Sequence, residues 1–249
     1  MKSLLKLTWV EFKLFFREPL TMVFTFALPV VFLLVMGGVF GNTPDTSGKH
    51  IYRGVGAVNY YNPAYIALVL CSIGIVAMPV HIAAYRERRV LKRFHASSLS
   101  VWDVIGSQVM VSFLIAIIGS ILLTIVSMLV YKSEAPQMWQ YFIPAFVLGT
   151  LCFTALGVFL GAVLPNTRYS QGVGLLLFFV MMILGGAGPP REVMGSVMNF
   201  VGNLTPIWYV IELLQDPWLG FGWQVQASLI VGAITIVATV LSVKFFKWD

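Results

Sequence analysis

The sequence predicts an all-α integral membrane protein of six transmembrane helices, and three observations predict it. Of the 249 residues, 59% are hydrophobic and only 10% charged, where soluble globular domains carry roughly 25% charged residues. The charges are bunched, so they leave uncharged stretches matching the roughly 20 residues a helix needs to cross a bilayer. One further apolar stretch is broken by Gly, Asn and Pro, as a backbone that enters the membrane and returns must be. This composition excludes a soluble enzyme and a disordered tail. The excess of 16 Lys+Arg over 10 Asp+Glu marks membrane-flanking loops in so apolar a chain, and no nucleic acid partner is expected.

Taken in order, residues 1–19 form an interfacial amphipathic helix. Leu5, Trp9, Phe12 and Phe16 recur at helical spacing while Lys6, Lys13 and Arg17 fall on another face, and Pro19 ends the segment. The spans follow at 20–40, 63–84, 104–131, 139–163, 169–186 and 225–243, all in a single domain covering 1–249. Asn59, Tyr60, Tyr61 and Asn62 are expected as a polar interfacial rim before the second span. Gly37/Gly41 and Gly157/Gly161 are small-residue pairs of the kind that let membrane helices approach closely.

Between the second and third spans, the segment 85–100 is strongly basic. Its Val90, Leu91 and Phe94 form a short apolar ridge beside the cations, and Ser100 with Asp103 resembles a capping box for the third span. A loop that only binds anionic headgroups needs nothing but the positive charge. Residues 187–218 are predicted as a re-entrant or interfacial hairpin in place of a seventh span. Gly185-Gly186-Ala187-Gly188-Pro189-Pro190 breaks the helix before it, and Gly195, Asn199, Gly202, Asn203 and Pro206 interrupt it. With six spans, twelve of the 16 basic residues share the side of the termini and four lie opposite. The positive-inside rule then puts both termini in the cytoplasm and the hairpin outside.

Chemistry-bearing patterns are sparse. Cys71 and Cys152 stand alone in apolar runs, and His50, His81 and His95 are dispersed, so neither a redox pair nor a metal site is expected. No phosphate-binding loop, nucleophile elbow or His-Glu-x-x-His motif is present in the chain. Hence no catalytic residues are assigned, the chain is not expected to be an enzyme, and no cofactor is expected on it. The spans as drawn carry no Asp, Glu, Lys or Arg in their interiors, which argues against an ion-driven carrier.

In this order and spacing, the residues resemble the permease subunits of type 2 ATP-binding-cassette (ABC) exporters over nearly the whole chain. Tyr85-Arg86-Glu87-Arg88-Arg89-Val90-Leu91-Lys92-Arg93-Phe94 is similar to that family's cytoplasmic coupling helix, and Leu99-Ser100 to the end of that motif. The family's usual Gly is replaced by Arg89 or Val90, and its Thr-Pro by Ser97-Ser98. Gly185-Gly186, Pro190, Glu192 and Pro206-Ile207-Trp208-Tyr209 resemble the family's extracellular re-entrant hairpin, with Gly195 where a second Pro is common.

The resemblance implies a homodimer or related heterodimer of permease subunits in membrane lipid, with two ABC ATPase subunits beneath. ATP and Mg would sit on those ATPase subunits. It implies that Tyr85, Arg86, Glu87, Arg88, Leu91, Lys92, Arg93 and Phe94 couple to the ATPase. It also implies a path lined from the first, second and fifth spans, for which Phe24, Phe26, Phe178 and Met182 are the candidates. The cargo expected is a small hydrophobic or amphiphilic compound such as a drug, antibiotic or peptide, because the outer loop near Asn42 to Tyr61 is short. The location implied is a bacterial or archaeal plasma membrane. Other functions remain open: an ATP-independent carrier or channel, a membrane-embedded enzyme, and a lipid or glycan export permease of the same fold.

Overall fold

A computed structural model describes residues 2–44, 51–88 and 101–245 of the chain. Helix α1 spans Lys2–Phe15. The six membrane-length helices that follow are α2 (Pro19–Phe40), α3 (Ala57–Glu87), α4 (Val101–Tyr131), α5 (Trp139–Val163), α6 (Thr167–Leu184) and α9 (Val225–Phe245). The hairpin comprises a short 3-10 turn (Arg191–Val193) and helices α7 (Ser196–Gly202) and α8 (Pro206–Leu219). Helices α7 and α8 meet at 93°, so the broken stretch is not one straight crossing. Among the described residues there is no strand, as expected for a chain that must satisfy every backbone group internally in lipid.

Helix α3 is the axis of the bundle: its apolar window is entirely buried, whereas that of α9 is only 17% buried. Lipid is as apolar as a protein core, so what gathers helices around α3 is close packing and interhelical hydrogen bonding. Gly157 of α5 lies against α3 so tightly that a Cβ there would stand 2.1 Å from the Gly74 carbonyl oxygen. The other expected small-residue pair divides its work: Gly37 packs on the Tyr131 ring, and Gly41 ends α2.

Helix α2 in its first half and α3 at mid-length widen into π-turns, Val23–Ala27 and Ser72–Ala77. Each is followed within two residues by a proline, Pro29 and Pro79. Proline has no N–H to donate and its ring crowds the carbonyl four residues back, and a wider turn relieves both problems. The two π-turns face each other, joined by the hydroxyls of Thr25 and Ser72 at 2.9 Å.

Helix α3 begins at Ala57, earlier than the expected 63, and runs to Glu87. The expected polar rim is therefore interior: Tyr60, Tyr61 and Asn62 are buried. It is tolerated because both tyrosine hydroxyls and the Asn62 amide nitrogen have partners, Asn62 Oδ1 being the exception. Asn62 Nδ2 donates to Ser127 Oγ at 2.9 Å, and the two tyrosines reach the hairpin. Helix α1 also presents a face the apolar spacing does not show. Thr8, Glu11 and Phe15 turn inward, whereas Leu5, Trp9 and Phe16 stay exposed, the surface an interfacial helix offers to lipid.

Candidate functional site

Chemistry-bearing side chains gather at the two ends of α3. At the end near α1, α3 carries Tyr85, Arg86, Glu87 and Arg88. Arg86 reaches across to the last turn of α5, donating to the carbonyls of Ala162 (3.3 Å) and Leu164. Those are among the carbonyls a helix leaves without intrahelical partners, so the guanidinium completes the C-terminus of α5. Glu87 does the reverse for α6. Its Oε1 accepts from the backbone N–H of Thr167 at 2.9 Å and its Oε2 from the Thr167 hydroxyl at 2.7 Å.

A carboxylate at a helix N-terminus matches the positive end of the helix dipole. Asn166 adds an ordinary cap by accepting from the Tyr169 N–H at 3.0 Å. One turn of α3 thus holds the α5–α6 connection by both of its helix ends. Arg88, exposed at the C-cap of α3, faces a cleft shared with Glu18, Asn166, Thr167 and Arg168. The expectations placed on Leu91, Lys92, Arg93 and Phe94 lie outside the described residues.

Tyr85 points the other way, toward α1. It is buried, and its hydroxyl shares a hydrogen bond with the carboxyl of Glu11, which Gln108 of α4 also faces. Burial pushes the Glu11 carboxyl up to about 7, and the neighbouring Tyr85 and Gln108 side chains pull the other way.

At the opposite end the hairpin is tied to α3. Tyr60 donates to Glu192 Oε2 at 2.7 Å and receives the Arg191 N–H at 3.4 Å, and Tyr61 donates to the Gly188 carbonyl at 2.9 Å. Gln215 of α8 donates to the Tyr60 carbonyl at 2.9 Å. Arg191 is the organiser: its Nε donates to the Gly185 carbonyl at 3.1 Å, another nitrogen donates to the Trp208 carbonyl, and its guanidinium lies 4.1 Å over the Trp208 ring. Burial draws the Arg191 pKa down, opposed by Tyr60, Glu212, Glu192 and Asp216.

The turn that admits Arg191 is made by Gly186, at φ +94°; Gly185 caps α6, Pro190 precedes the 3-10 turn, and Pro206 opens α8. Near the end of α8, buried Asp216 pairs with Arg53 and accepts from Gln224, while Arg53 lies 4.2 Å over the Phe221 ring.

Of the four path candidates, Phe24 and Phe178 meet edge-on at 5.6 Å, beside Phe179. Phe178 is fully buried and Met182 nearly so, so within one chain both are packing residues. Phe26 belongs to another cluster, 6.2 Å from Phe15 and 6.0 Å from Phe16. Sequence reasoning missed Glu11, Arg53, Tyr60, Arg191 and Asp216 as structural ties. The hydropathy pattern does not distinguish a charge that returns into the bundle from one that ends a span.

The ABC-2 type transporter family matches residues 2–217. Among curated proteins, the ABC multidrug transporter atrA of Aspergillus oryzae (strain ATCC 42149 / RIB 40) is similar, at 22% identity over 189 residues. The match covers 73% of this chain but 12% of that relative.

Proposed function

The chain belongs to the ABC-2 type transporter family, and from that premise we propose that it is the membrane-spanning subunit of an exporter. The family membership makes it the multi-pass permease part of an ABC transporter. The finer reading is that it moves a small hydrophobic or amphiphilic compound, such as a drug, antibiotic or peptide, out of the cell. ATP hydrolysis on two separate ABC ATPase subunits drives it, with ATP and Mg bound there. A second permease subunit, identical or related, completes the path, in a bacterial or archaeal plasma membrane with both termini cytoplasmic.

The observation that carries this reading is the anchoring of α3 at both ends. At one end Arg86 and Glu87 clamp the junction of α5 and α6, directly before the basic segment that resembles a coupling helix. At the other, Tyr60 and Tyr61 hold the hairpin. A push on the residues after Arg88 therefore has a buried helix to act on and a hairpin at its far end to move. That the described spans bring almost no ionisable side chain to mid-membrane favours this over an ion-driven carrier.

The decisive experiment is affinity purification of the full chain from its native membrane. A P-loop ATPase should co-purify, and its hydrolysis in reconstituted vesicles should respond to amphiphilic cargo. Uptake or efflux by the chain alone, unaffected by ATP, would overturn the proposal.

A further inference from the structure

We propose that Glu11 is a proton-binding site that fastens α1 to α3 and α4, making the docking of α1 sensitive to cytoplasmic pH. The geometry comes first. Glu11 is 2% exposed, on the inward face of α1, in a small cavity walled by Phe15, Met78, His81, Gln108 and Ser112. Tyr85 bonds the carboxyl, yet its Oε1 has no partner, and neither has Nε2 of Gln108 beside it. An ionised carboxylate with one oxygen unsolvated is costly in such a place, whereas the neutral acid needs fewer partners.

The charged and titratable groups around it do not neutralise it. From α3, His81 lines the same cavity, stacks 6.4 Å from the Phe15 ring and points its Nε2 at Glu18, 3.7 Å away. Tyr85 and Arg88 stand with His81 and Glu18 around a neighbouring cleft of about 270 Å³, whose wall from α1 is Leu7, Val10 and Leu14. Lys13, the cation nearest along α1, is turned to the outer face over the Trp9 ring at 4.9 Å. From α4, the described side chains facing Glu11 are Gln108 and Ser112, neither ionisable.

Tyr85 and His81 have a second part to play. Tyr85 touches Glu11 on one side and the cleft on the other, and His81 borders both cavities. Tyr85 gives a proton a hydrogen-bonding step between that cleft and a carboxyl that solvent itself does not reach, and His81, whose Nε2 makes no hydrogen bond, lines the way. The step is a plain protonation, carboxylate plus proton giving the acid.

The sign follows from the raised value. Docked, the carboxyl holds its proton up to about 7; released into solvent it returns toward 4.5. Docking is therefore strongest below 4.5, weakens as pH rises from there to about 7, and changes little above that. Inside that window the docking constant falls about tenfold for each pH unit. Helix α1 packs beside Tyr85 and Arg88, so a change in its docking acts where the basic segment leaves α3.

The test uses the full chain in lipid nanodiscs, without any ATPase or cargo, so its failure is separable from failure of the transport reading. Spin labels are placed at Leu5→Cys on α1 and Leu114→Cys on α4, both exposed, in a background carrying Cys71→Ala and Cys152→Ala. The wild-type population at the short, docked distance should fall as pH is raised from about 5 to about 7, with a midpoint set by one proton. Glu11→Gln should stay docked throughout, and His81→Gln should keep the wild-type dependence. A wild-type distance distribution that does not change with pH would overturn the proposal. So would a dependence that survives Glu11→Gln or vanishes in His81→Gln.

Discussion

The hydroxyls of Thr25 and Ser72 lie 2.9 Å apart, both fully buried, at the point where the π-turns of α2 and α3 face each other. A π-turn leaves backbone groups poorly paired, and prolines at 29 and 79 keep both turns from relaxing to α-geometry. The hydroxyl pair therefore fixes the relative height of two helices at their softest points.

Removing one hydroxyl, as in Thr25→Val, strands the other unless it turns to a carbonyl of its own helix. Interhelical bonds in membrane proteins average about 0.6 kcal/mol with a ceiling near 1.7. We expect Thr25→Val to cost about 1 kcal/mol, and the double variant Thr25→Val/Ser72→Ala little more. A double-mutant cycle of unfolding in bicelles measures this. Additive losses would show that the two hydroxyls act independently.

The hairpin makes a stricter demand at Gly186. A Cβ there would lie 2.8 Å from Arg191 Cγ and 2.9 Å from its Nε, at φ +94° where side chains are already strained. Left-handed backbone alone costs an L-residue roughly 1–2 kcal/mol, and displacing Arg191 adds the loss of its bonds to Gly185 and Trp208. Gly186→Val should therefore speed hydrogen exchange across residues 187–204 by at least tenfold. Pro190→Ala, at an ordinary extended position, should change it several-fold at most. Equal effects of the two would mean that this stretch merely ends a helix in a tolerant loop.

Much of the fold was legible because one energy dominates it. Leaving a charge in lipid is costly enough that charges mark span ends, and Gly-Pro clusters mark the backbone that cannot cross as a helix. The side-chain ties were not legible for the same reason. The Tyr60–Glu192 bond joins residues 132 apart, and nothing in either neighbourhood encodes the other. Likewise, Leu5, Trp9, Phe12 and Phe16 dominate the periodicity of α1, but in a membrane an apolar face can point to lipid as well as to protein. Thr8 and Glu11, polar by type, dock together with Phe15.

Six spans with the termini together also predict a labelling pattern. In a background lacking Cys71 and Cys152, both free and buried, cysteines at Glu134 and Ser196 should react with an impermeant reagent from outside the cell. A cysteine at Lys13, exposed on α1, should react only after permeabilisation. Outside labelling at Lys13 would reverse the orientation argued from the twelve basic residues on that side.

Glu87 carries the sharpest choice between two roles. Read from sequence, an acidic residue in a basic segment suggests a charge that pairs with the ATPase, because headgroup binding has no use for it. In the structure both carboxylate oxygens are already engaged by Thr167, so the charge serves α6 inside the chain. The two roles separate on substitution. A glutamine retains an oxygen to accept from the Thr167 N–H, and the threonine hydroxyl can rotate to accept from the new amide. An alanine retains neither contact. If Glu87 ties α3 to α6, Glu87→Gln should keep ATPase association at the wild-type level and lower cargo-stimulated hydrolysis only modestly. Glu87→Ala should lower it severely and speed amide exchange at residues 167–170. If Glu87 instead pairs with a cation on the ATPase, both variants should weaken association to a similar degree, with exchange at α6 unchanged. Measuring association, hydrolysis and exchange on the same three proteins decides between them. Because the internal contact is made through two oxygens, we expect the graded outcome, Gln mild and Ala severe.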